Sequence, residues 1–269
     1  METQTPGPAT RDAASWAAHV ERLAVQRRAG VRGSNVDGRR LAGPVQGFGK
    51  MWRKTYRCDI GTAATPERVI AEWREHFGEF WPRGSRFAPG LAGIRPGEVA
   101  LIDVGVARGA PKVSTGVLVL YSDDTSFTFL TPQGHQFAGL ITFSAAQIAQ
   151  AAETAESGEN GVSAARSGAG GTQIEVEALI RAGDPVYEVA MILGGHRQED
   201  RFWEQAVATL ARHLGAARPV VTTTMTCVDS RRQWRRWANL RHNAAIRSTL
   251  QALAAPVTGL VRRAARRPR

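Results

Sequence analysis

Three side chains are the strongest candidates for acid–base chemistry in this sequence: Asp103, Tyr121 and His135. Asp103 is the only charge in the mostly apolar run from Val99 to Val106, where burial would raise the pKa of a carboxyl group. His135 lies in a turn between two predicted strands, where an imidazole either acts as a proton donor at the mouth of a cavity or bonds the local backbone. Tyr121 ends a predicted strand. Whether the three groups meet is left open by the sequence.

A second set of polar residues, His196, Glu199 and Asp200, has the i, i+3 and i, i+4 spacing that places side chains on one face of a helix. These ligands are too few for a metal, and no second cluster of His or Cys accompanies them. We therefore interpret them as a solvated helix start and predict no metal. No Walker or dinucleotide pattern follows a predicted strand, so no cofactor is expected either.

The positive charge of the chain is concentrated at one end. The 269 residues include 35 Lys and Arg against 24 Asp and Glu, a net charge of +11. Residues 230–269 hold eleven Arg and no acid, and removing these from the 35 leaves 24 basic residues, which balance the 24 acidic ones. A polyanion would therefore be attracted to this tail and not to the rest of the chain.

The tail also alternates Trp and Leu with Arg, which predicts a helix beginning at Asp229. Three interpretations stay open: the tail packs on the domain, binds an anionic membrane surface, or binds nucleic acid, the last being less favoured than a membrane. The residues predicted to contact a polyanion are Arg231, Arg232, Arg235, Arg236 and Arg241.

The hydrophobic pattern predicts the elements that position these groups. Period-two alternation indicates six strands, at residues 55–62, 99–106, 113–121, 126–131, 137–144 and 172–181. Thr65 and Pro66 predict the start of a helix that runs to Phe77. A longer helical stretch from Pro185 pauses at two glycines and ends at Gly215. A short helix is predicted around residues 16–24, and residues 150–171 have the composition of a flexible loop.

Strands in series followed by a long helix make an α+β protein. The segments Tyr56–Ile60 and Ala64–Val69, a strand followed by a helix that opens with small-Pro-Glu-x-Val, resemble the START-related (SRPBCC) helix-grip superfamily of lipid-transfer proteins, pollen allergens and polyketide cyclases. Residues 196–215 match its gripping helix, and Thr131–Gly139 is similar to bacterial members. The resemblance covers about residues 51–217 and divides the chain into an N-terminal extension (1–50), a helix-grip domain (51–217) and a basic tail (218–269).

The resemblance implies a curved antiparallel sheet of six to seven strands that encloses an apolar cavity against the long helix. It brings no universal catalytic residue. The residues expected to line the cavity are Trp73, Phe77, Val104, Leu118, Phe127, Phe129, Ile141, Phe143, Val176 and Phe202.

Binding or transport of a lipid-like or polyketide-like molecule is thus the function predicted first. A cyclase- or hydrolase-type enzyme that uses the same cavity, and polyanion binding through the tail, are the alternatives. The start of the chain carries no basic region followed by an apolar segment, and the two cysteines, Cys58 and Cys227, suit a reducing compartment. We therefore expect a cytoplasmic protein, peripheral at the inner face of the membrane if the tail binds lipid.

Overall fold

The computed structural model describes residues 13–25, 33, 35–104, 113–148 and 170–251. The fold is α+β, as predicted: one open, curved antiparallel sheet of eight strands is covered on one face by helices. The strand order is β2-β3-β4-β5-β6-β7-β1-β8. The strands are β1 (Met51–Asp59), β2 (Arg86–Ala88), β3 (Val99–Val104), β4 (Val113–Ser122), β5 (Ser126–Leu130), β6 (Phe137–Ile148), β7 (Gly171–Ala182) and β8 (Thr222–Asp229).

The helices that pack along the sheet are α1 (Pro66–His76), α2 (Pro185–Ala190) and α3 (His196–His213). The side chain of Thr65 accepts a hydrogen bond from the Arg68 amide at 3.3 Å, which confirms the predicted start of α1. A turn at Met191–Gly195 separates α2 from α3, and Gly194 there has a φ of 122°, so the predicted pause in the long helical stretch is confirmed. None of the helices among the described residues has the length and apolar character that crossing a bilayer requires.

The helices pack on what we call the inner face of the sheet. Val69, Ile70 and Trp73 of α1 and Val207 and Leu210 of α3 share one buried cluster with the inward side chains of the strands. These positions follow the spacing of about 3.6 residues that gives a helix one apolar face. The long helix therefore closes the inner face, as the helix-grip resemblance implies.

The opposite, outer face is covered by the N-terminal segment. Leu23 and Val36 are buried against Leu101 and Leu118, which point outward from β3 and β4. Residues 16–25 do not form the predicted helix; a 3-10 turn spans Ala13–Ser15, and the chain then runs in irregular conformation over the sheet. The apolar residues of this segment are spread along the sheet surface, which a single helix face would not reach.

Over the described residues the sheet has two strands more than the six located in the sequence. Edge strand β2 has only three residues, too short to show alternation. Strand β8 lies in the stretch assigned to the tail and pairs antiparallel with β1, so the sheet continues past residue 217. The predicted flexible loop at 150–171 lies outside the described residues except for its last two positions, and so do residues 252–269 of the tail.

The segment after β8, residues 230–251, folds back over the end of the sheet, and we call it the strap. It contains a 3-10 helix at Trp234–His242 and a helical stretch at 244–251, not the single helix predicted from Asp229. Asp229 instead binds the buried Arg181 at 2.5 Å and the exposed Arg231 at 3.0 Å. Hydrogen bonds from Arg231 hold the pKa of the Asp229 carboxyl well below its usual range, so the strap begins at a fixed ion pair.

Buried polar contacts fix the far end of the strap. The Asn243 side chain, which is fully buried, donates to the carboxylate of Asp184 at 2.8 Å, and the Ala244 amide donates to the Gly134 carbonyl at 2.9 Å. Buried polar groups with satisfied partners specify one docking position, because each broken bond leaves a desolvated group behind. Of the three interpretations of the tail, packing on the domain therefore holds for residues 230–251.

Gly134 is the residue that lets the strap approach the β5–β6 turn. Its φ is +90°, and a Cβ atom there would lie 2.0 Å from the carbonyl oxygen of His242. We expect Gly134→Ala to cost about 1–3 kcal/mol of stability, from backbone strain and from displacement of the strap. Trypsin should then cleave at the strap arginines faster than in the wild type.

Gly97→Ala is the matched control, because Gly97 has a φ of +89° but no atom within 4 Å of the added Cβ. It carries the conformational penalty alone and should leave the tryptic cleavage rate of the strap unchanged. Equal cleavage rates in the two variants would contradict the docking argument.

Candidate functional site

The predicted cavity-lining residues occupy the inner face, with one exception. Trp73, Phe77, Phe127, Phe129, Phe143 and Val176 are buried in the inner cluster, and Val104 and Ile141 pack against it. Phe202 lies beside Trp81, with ring centroids 5.0 Å apart, at one end of this cluster. Leu118 is the exception: it belongs to the outer-face cluster, because its neighbours Val117 and Val119 take the inward positions of β4.

The rings of the protein itself fill this interior. Phe127 and Phe143 stack with centroids 4.8 Å apart, and Trp73 meets Phe143 edge-on at 5.0 Å. Such distances are those of directly packed aromatic pairs. Two small clefts, of about 80 and 40 Å³, open elsewhere, along the N-terminal segment and beneath the strap. The space that the resemblance assigned to a ligand is therefore occupied by core side chains among the described residues.

The three acid–base candidates do not meet. Asp103 lies on the outer face of β3 and accepts a hydrogen bond from Ser114 at 2.7 Å. Tyr121 is also on the outer face, against Trp16 at 4.7 Å, and its hydroxyl donates to Asp123. Ser114 and Tyr121 are seven residues apart on β4, about 20 Å in an extended strand. The expectation that Asp103 and Tyr121 face a common cavity is thus corrected: neighbouring residues take the inward positions.

The surroundings of His135 indicate a structural role for its side chain. Its Nδ1 accepts a hydrogen bond from the Phe137 amide at 3.0 Å within the β5–β6 turn. Burial lowers the pKa of the imidazole to about 4, so the ring is neutral at physiological pH. Of the two interpretations of His135, the bond to local backbone is the one the geometry favours.

A convergent set of ionisable groups lies instead between β1 and the first turn of α3. The ammonium of Lys54, which is completely buried, contacts Glu199 Oε2 at 2.8 Å and Asp200 Oδ1 at 2.7 Å. The Tyr56 hydroxyl donates to the same Asp200 oxygen at 2.8 Å. His196 completes the group: its ring packs on Trp52, and its Nδ1 is buried with no hydrogen-bond partner among the described residues. We call Lys54, Tyr56, His196, Glu199 and Asp200 the ionic cluster.

The electrostatics of the ionic cluster follow from its burial. Burial raises the pKa of Glu199 to about 7, although Lys54 opposes this shift. Burial and the nearby carboxylates raise the pKa of the Tyr56 phenol far above its usual range. Burial and the Lys54 charge lower the pKa of His196, so its ring stays neutral. The cluster therefore joins α3 to β1 through one buried cation, and it can hold or release a proton near neutral pH at Glu199.

The sequence pattern grouped three of the five residues of this cluster. His196, Glu199 and Asp200 were grouped by helical spacing, but as a solvated face, whereas Lys54 and Tyr56 were not connected to them. The signal was present: Lys54 falls in phase with the inward residues Tyr56 and Cys58 of β1, and a lysine in that phase requires a buried acidic partner. No group of three or more metal-binding side chains occurs among the described residues.

Glu199 should make the stability of the fold pH-dependent. Its folded-state pKa of about 7 exceeds the ordinary value of 4.5, so the folded state holds a proton that the unfolded chain has released. This contribution is fully present below pH 4.5 and is lost as pH rises through 7, about 3 kcal/mol in all. Glu199→Gln should therefore match the wild type in acid and exceed its free energy of unfolding by about that amount at pH 8.5.

Urea unfolding of both proteins between pH 4.5 and 8.5 measures this difference. Glu175→Gln removes a carboxylate whose partner is the half-exposed Arg57, and this control should keep the wild-type pH profile. A constant offset between Glu199→Gln and the wild type at every pH would show that Glu199 does not titrate in this range.

Comparison with known proteins finds likeness at the level of the fold. No protein-family model matches the sequence, and no curated protein matches it significantly. Among solved structures, protein Ms6760 from Mycobacterium smegmatis is 13% identical over 62% of this chain and 92% of its own, with a TM-score of 0.39. The structure of Ara h 8.0201 is 11% identical over 60% of this chain and 97% of its own, with a TM-score of 0.32.

These values are low, and the assignment of the fold rests on the chain's own topology. A first strand leads into α1, a meander from β2 to β7 follows, and the long helix α3 packs on the inner face beside α1. This is the curved sheet around a long helix that the sequence resemblance implies, extended by β8 at one edge. The chain therefore has a helix-grip fold, a curved antiparallel sheet around a long helix.

Proposed function

We propose that the protein binds the surface of anionic membranes through the strap. The observation that carries this proposal is the exposure of two tryptophans, Trp234 at 71% and Trp237 at 63%, on a segment whose backbone is anchored by buried contacts. Exposed apolar side chains that lie together mark interaction surfaces, and tryptophan prefers the boundary between lipid headgroups and acyl chains. Both rings stay largely exposed, and Trp234 also meets the buried Phe48 edge-on, with ring centroids 5.2 Å apart.

The neighbouring helix adds further apolar surface. α2 lies against the strap through the ion pair of Glu188 with Arg232 at 2.9 Å and the hydrogen bond of the Tyr187 hydroxyl with the Ala245 amide at 3.0 Å. From α2 and the turn after it, Val189, Ile192 and Leu193 are exposed, the last at 81%. Exposed apolar side chains close to exposed tryptophans suit insertion between lipids better than contact with a nucleic acid backbone.

The charge of the strap has the sign that an anionic surface attracts. Arg231 and Arg232 are paired with Asp229 and Glu188. The exposed Arg235, Arg236 and Arg241 have no carboxylate within ion-pair distance in the described part of the chain. Each basic residue near an anionic leaflet contributes about 1 kcal/mol of attraction, which salt screens.

Vesicle co-sedimentation of the full chain tests the proposal. We expect binding to vesicles of phosphatidylcholine with phosphatidylglycerol, weak binding to phosphatidylcholine alone, and a decline with salt. Trp234→Ala with Trp237→Ala should reduce the partition coefficient about 10-fold for each ring removed. Leu91→Ala, an exposed apolar residue outside the strap, is the control and should bind like the wild type.

Two outcomes would overturn this function. One is vesicle binding that the tryptophan substitutions leave intact. The other is salt-dependent binding to double-stranded DNA or RNA with no binding to vesicles, which would assign the strap to nucleic acid instead.

A second candidate function is the binding of an apolar molecule in the helix-grip interior. It is favoured by Trp81, whose indole N–H is buried without an acceptor among the described residues. The ring sits beside Phe202 at 5.0 Å and Trp203 at 6.3 Å, both only partly buried, where α3 meets the end of the aromatic core. An apolar ligand with one acceptor oxygen would satisfy that donor if these rings moved apart.

Native mass spectrometry of the full chain purified without detergent tests this second candidate. A stoichiometric apolar passenger that Trp81→Phe reduces would support it, because phenylalanine keeps the packing and removes the donor. A spectrum that stays free of bound mass after incubation with a lipid extract would count against it.

A further inference from the structure

His242, at the end of the 3-10 helix in the strap, lies between two guanidinium groups. Its Nδ1 is 2.6 Å from Nη1 of Arg39, which belongs to the segment that precedes the first strand. Its Nε2 is 3.1 Å from Nε of Arg241. Both contacts have hydrogen-bond length, and they approach the ring from two different parts of the chain.

These contacts cannot both be hydrogen bonds. A guanidinium group only donates, and a neutral imidazole has one lone pair and one N–H. If Arg39 donates to Nδ1, then Nε2 carries the proton and its N–H faces the N–H of Arg241. In the other tautomer Arg241 donates to Nε2, and the N–H at Nδ1 faces Arg39. Protonation of the ring would leave no acceptor at all. The arrangement is therefore short of at least one acceptor in every protonation state of His242.

The charged groups that act on the ring of His242 are all positive. Burial and the three arginines Arg39, Arg241 and Arg247 lower the pKa of His242. Burial and the positive charge of Arg247 lower the pKa of Arg39. Arg247 itself donates to the neutral side chain of Asn35 at 3.3 Å. No carboxylate forms an ion pair with any of these three arginines within the described ranges.

The surroundings hold this charge in place. Asn35 is buried and bonds the Ser248 hydroxyl at 3.0 Å, and the strap is pinned at Asn243 and Ala244, directly after the histidine. Mobile surface arginines would move apart to reduce their repulsion. Arg39 and Arg247 are half-buried, and their contacts with His242 and Asn35 hold the two side chains in place. A preorganised group of donors without acceptors is the complement of an anion with several oxygens.

We propose that Arg39, Arg241, His242 and Arg247 form a binding site for a phosphate group. A phosphate oxygen supplies the missing acceptor at the ring nitrogen, and the remaining oxygens accept from the guanidinium groups. The phosphate comes either from a lipid headgroup or from a free phosphorylated molecule. Only the lipid source rests on the proposed membrane function; the site itself does not.

The test has a soluble arm and a vesicle arm, both with the full chain. In the first, isothermal titration with inorganic phosphate is compared with chloride at equal ionic strength. In the second, vesicles containing phosphatidic acid, which exposes a phosphate monoester, are compared with phosphatidylglycerol vesicles of equal surface charge. We expect Arg39→Gln with Arg247→Gln to weaken phosphate binding at least about 10-fold.

Arg241→Gln gives a second variant that lies on the surface and should not disturb folding; it should weaken phosphate binding in the same direction. The matched control is Arg83→Gln, an exposed arginine outside both the site and the strap, which should leave inorganic phosphate binding unchanged. Circular dichroism establishes that each variant is folded.

The outcomes separate the two sources and the two proposals. A preference for phosphatidic acid that the site variants abolish identifies a lipid headgroup. Phosphate binding in solution without that preference identifies a free phosphorylated molecule. Absence of vesicle binding by the wild type, together with inorganic phosphate binding that the site variants weaken, overturns the membrane function and supports the phosphate site. Equal behaviour of Arg39→Gln/Arg247→Gln, Arg241→Gln and the wild type in both arms would overturn the site.

Discussion

Replacing Lys54 with methionine is expected to lower the free energy of unfolding at pH 8 by about 3–5 kcal/mol. Methionine has nearly the length of lysine and fills the same space, so the change removes the charge and little else. Glu199 and Asp200, held at 2.8 and 2.7 Å from the ammonium, would then face each other with no cation between them. Breaking a buried ion pair from one side is costly because the remaining charge stays desolvated.

Three comparisons sharpen this prediction, each measured by urea unfolding. The loss should shrink at pH 5, where Glu199 takes up a proton and one repulsive charge disappears. The double variant Lys54→Met with Glu199→Gln should recover part of the lost stability. Lys50→Met, just before β1, should change the stability by less than about 0.5 kcal/mol. A Lys54→Met protein as stable as the Lys50→Met protein would mean that the ionic cluster does not secure α3 to β1.

Much of the sheet and its helices was predictable, because each element carries a local signal. β7 alternates Ile174, Val176, Ala178 and Ile180 inward, and Thr65 with Pro66 marks the start of α1. Strand β8 also has a signal, four Thr among its eight residues, which favours β structure. It was missed because the helix-grip pattern ends with the long helix, so the stretch that follows was assigned to the basic tail.

The candidate sites depend on contacts between residues that are far apart in the sequence. No local sequence pattern predicts such contacts. Lys54 and Glu199 are 145 residues apart, and Arg39 and His242 are 203 apart. Alternation shows that a side chain points inward but not what it meets there. Asp103 of β3 and Leu118 of β4 were predicted to point toward the helix. Both point to the opposite face of the sheet, which the N-terminal segment covers.

Truncating Trp73 to alanine is expected to cost about 3–5 kcal/mol, as large-to-small substitutions do in a packed core. The side chain is 1% exposed and its ring lies 5.0 Å from Phe143 and 5.9 Å from Phe127. Trp237→Ala, which removes the same side chain from an exposed position, should change the stability of the free protein by less than about 0.5 kcal/mol. Urea unfolding of the two variants side by side gives the comparison.

The cavity left by Trp73→Ala should be apolar, dry and able to bind a small aromatic molecule. Indole, which has the shape of the lost ring, should raise the stability of this variant with its concentration and leave the wild type unaffected. A loss below about 1 kcal/mol, or an equal response of the wild type to indole, would mean that the aromatic interior already admits a guest. That result would favour the apolar-ligand function. The expected result, a large loss of stability and a response to indole in the variant alone, would mean that the aromatic interior is a packed core whose role is structural.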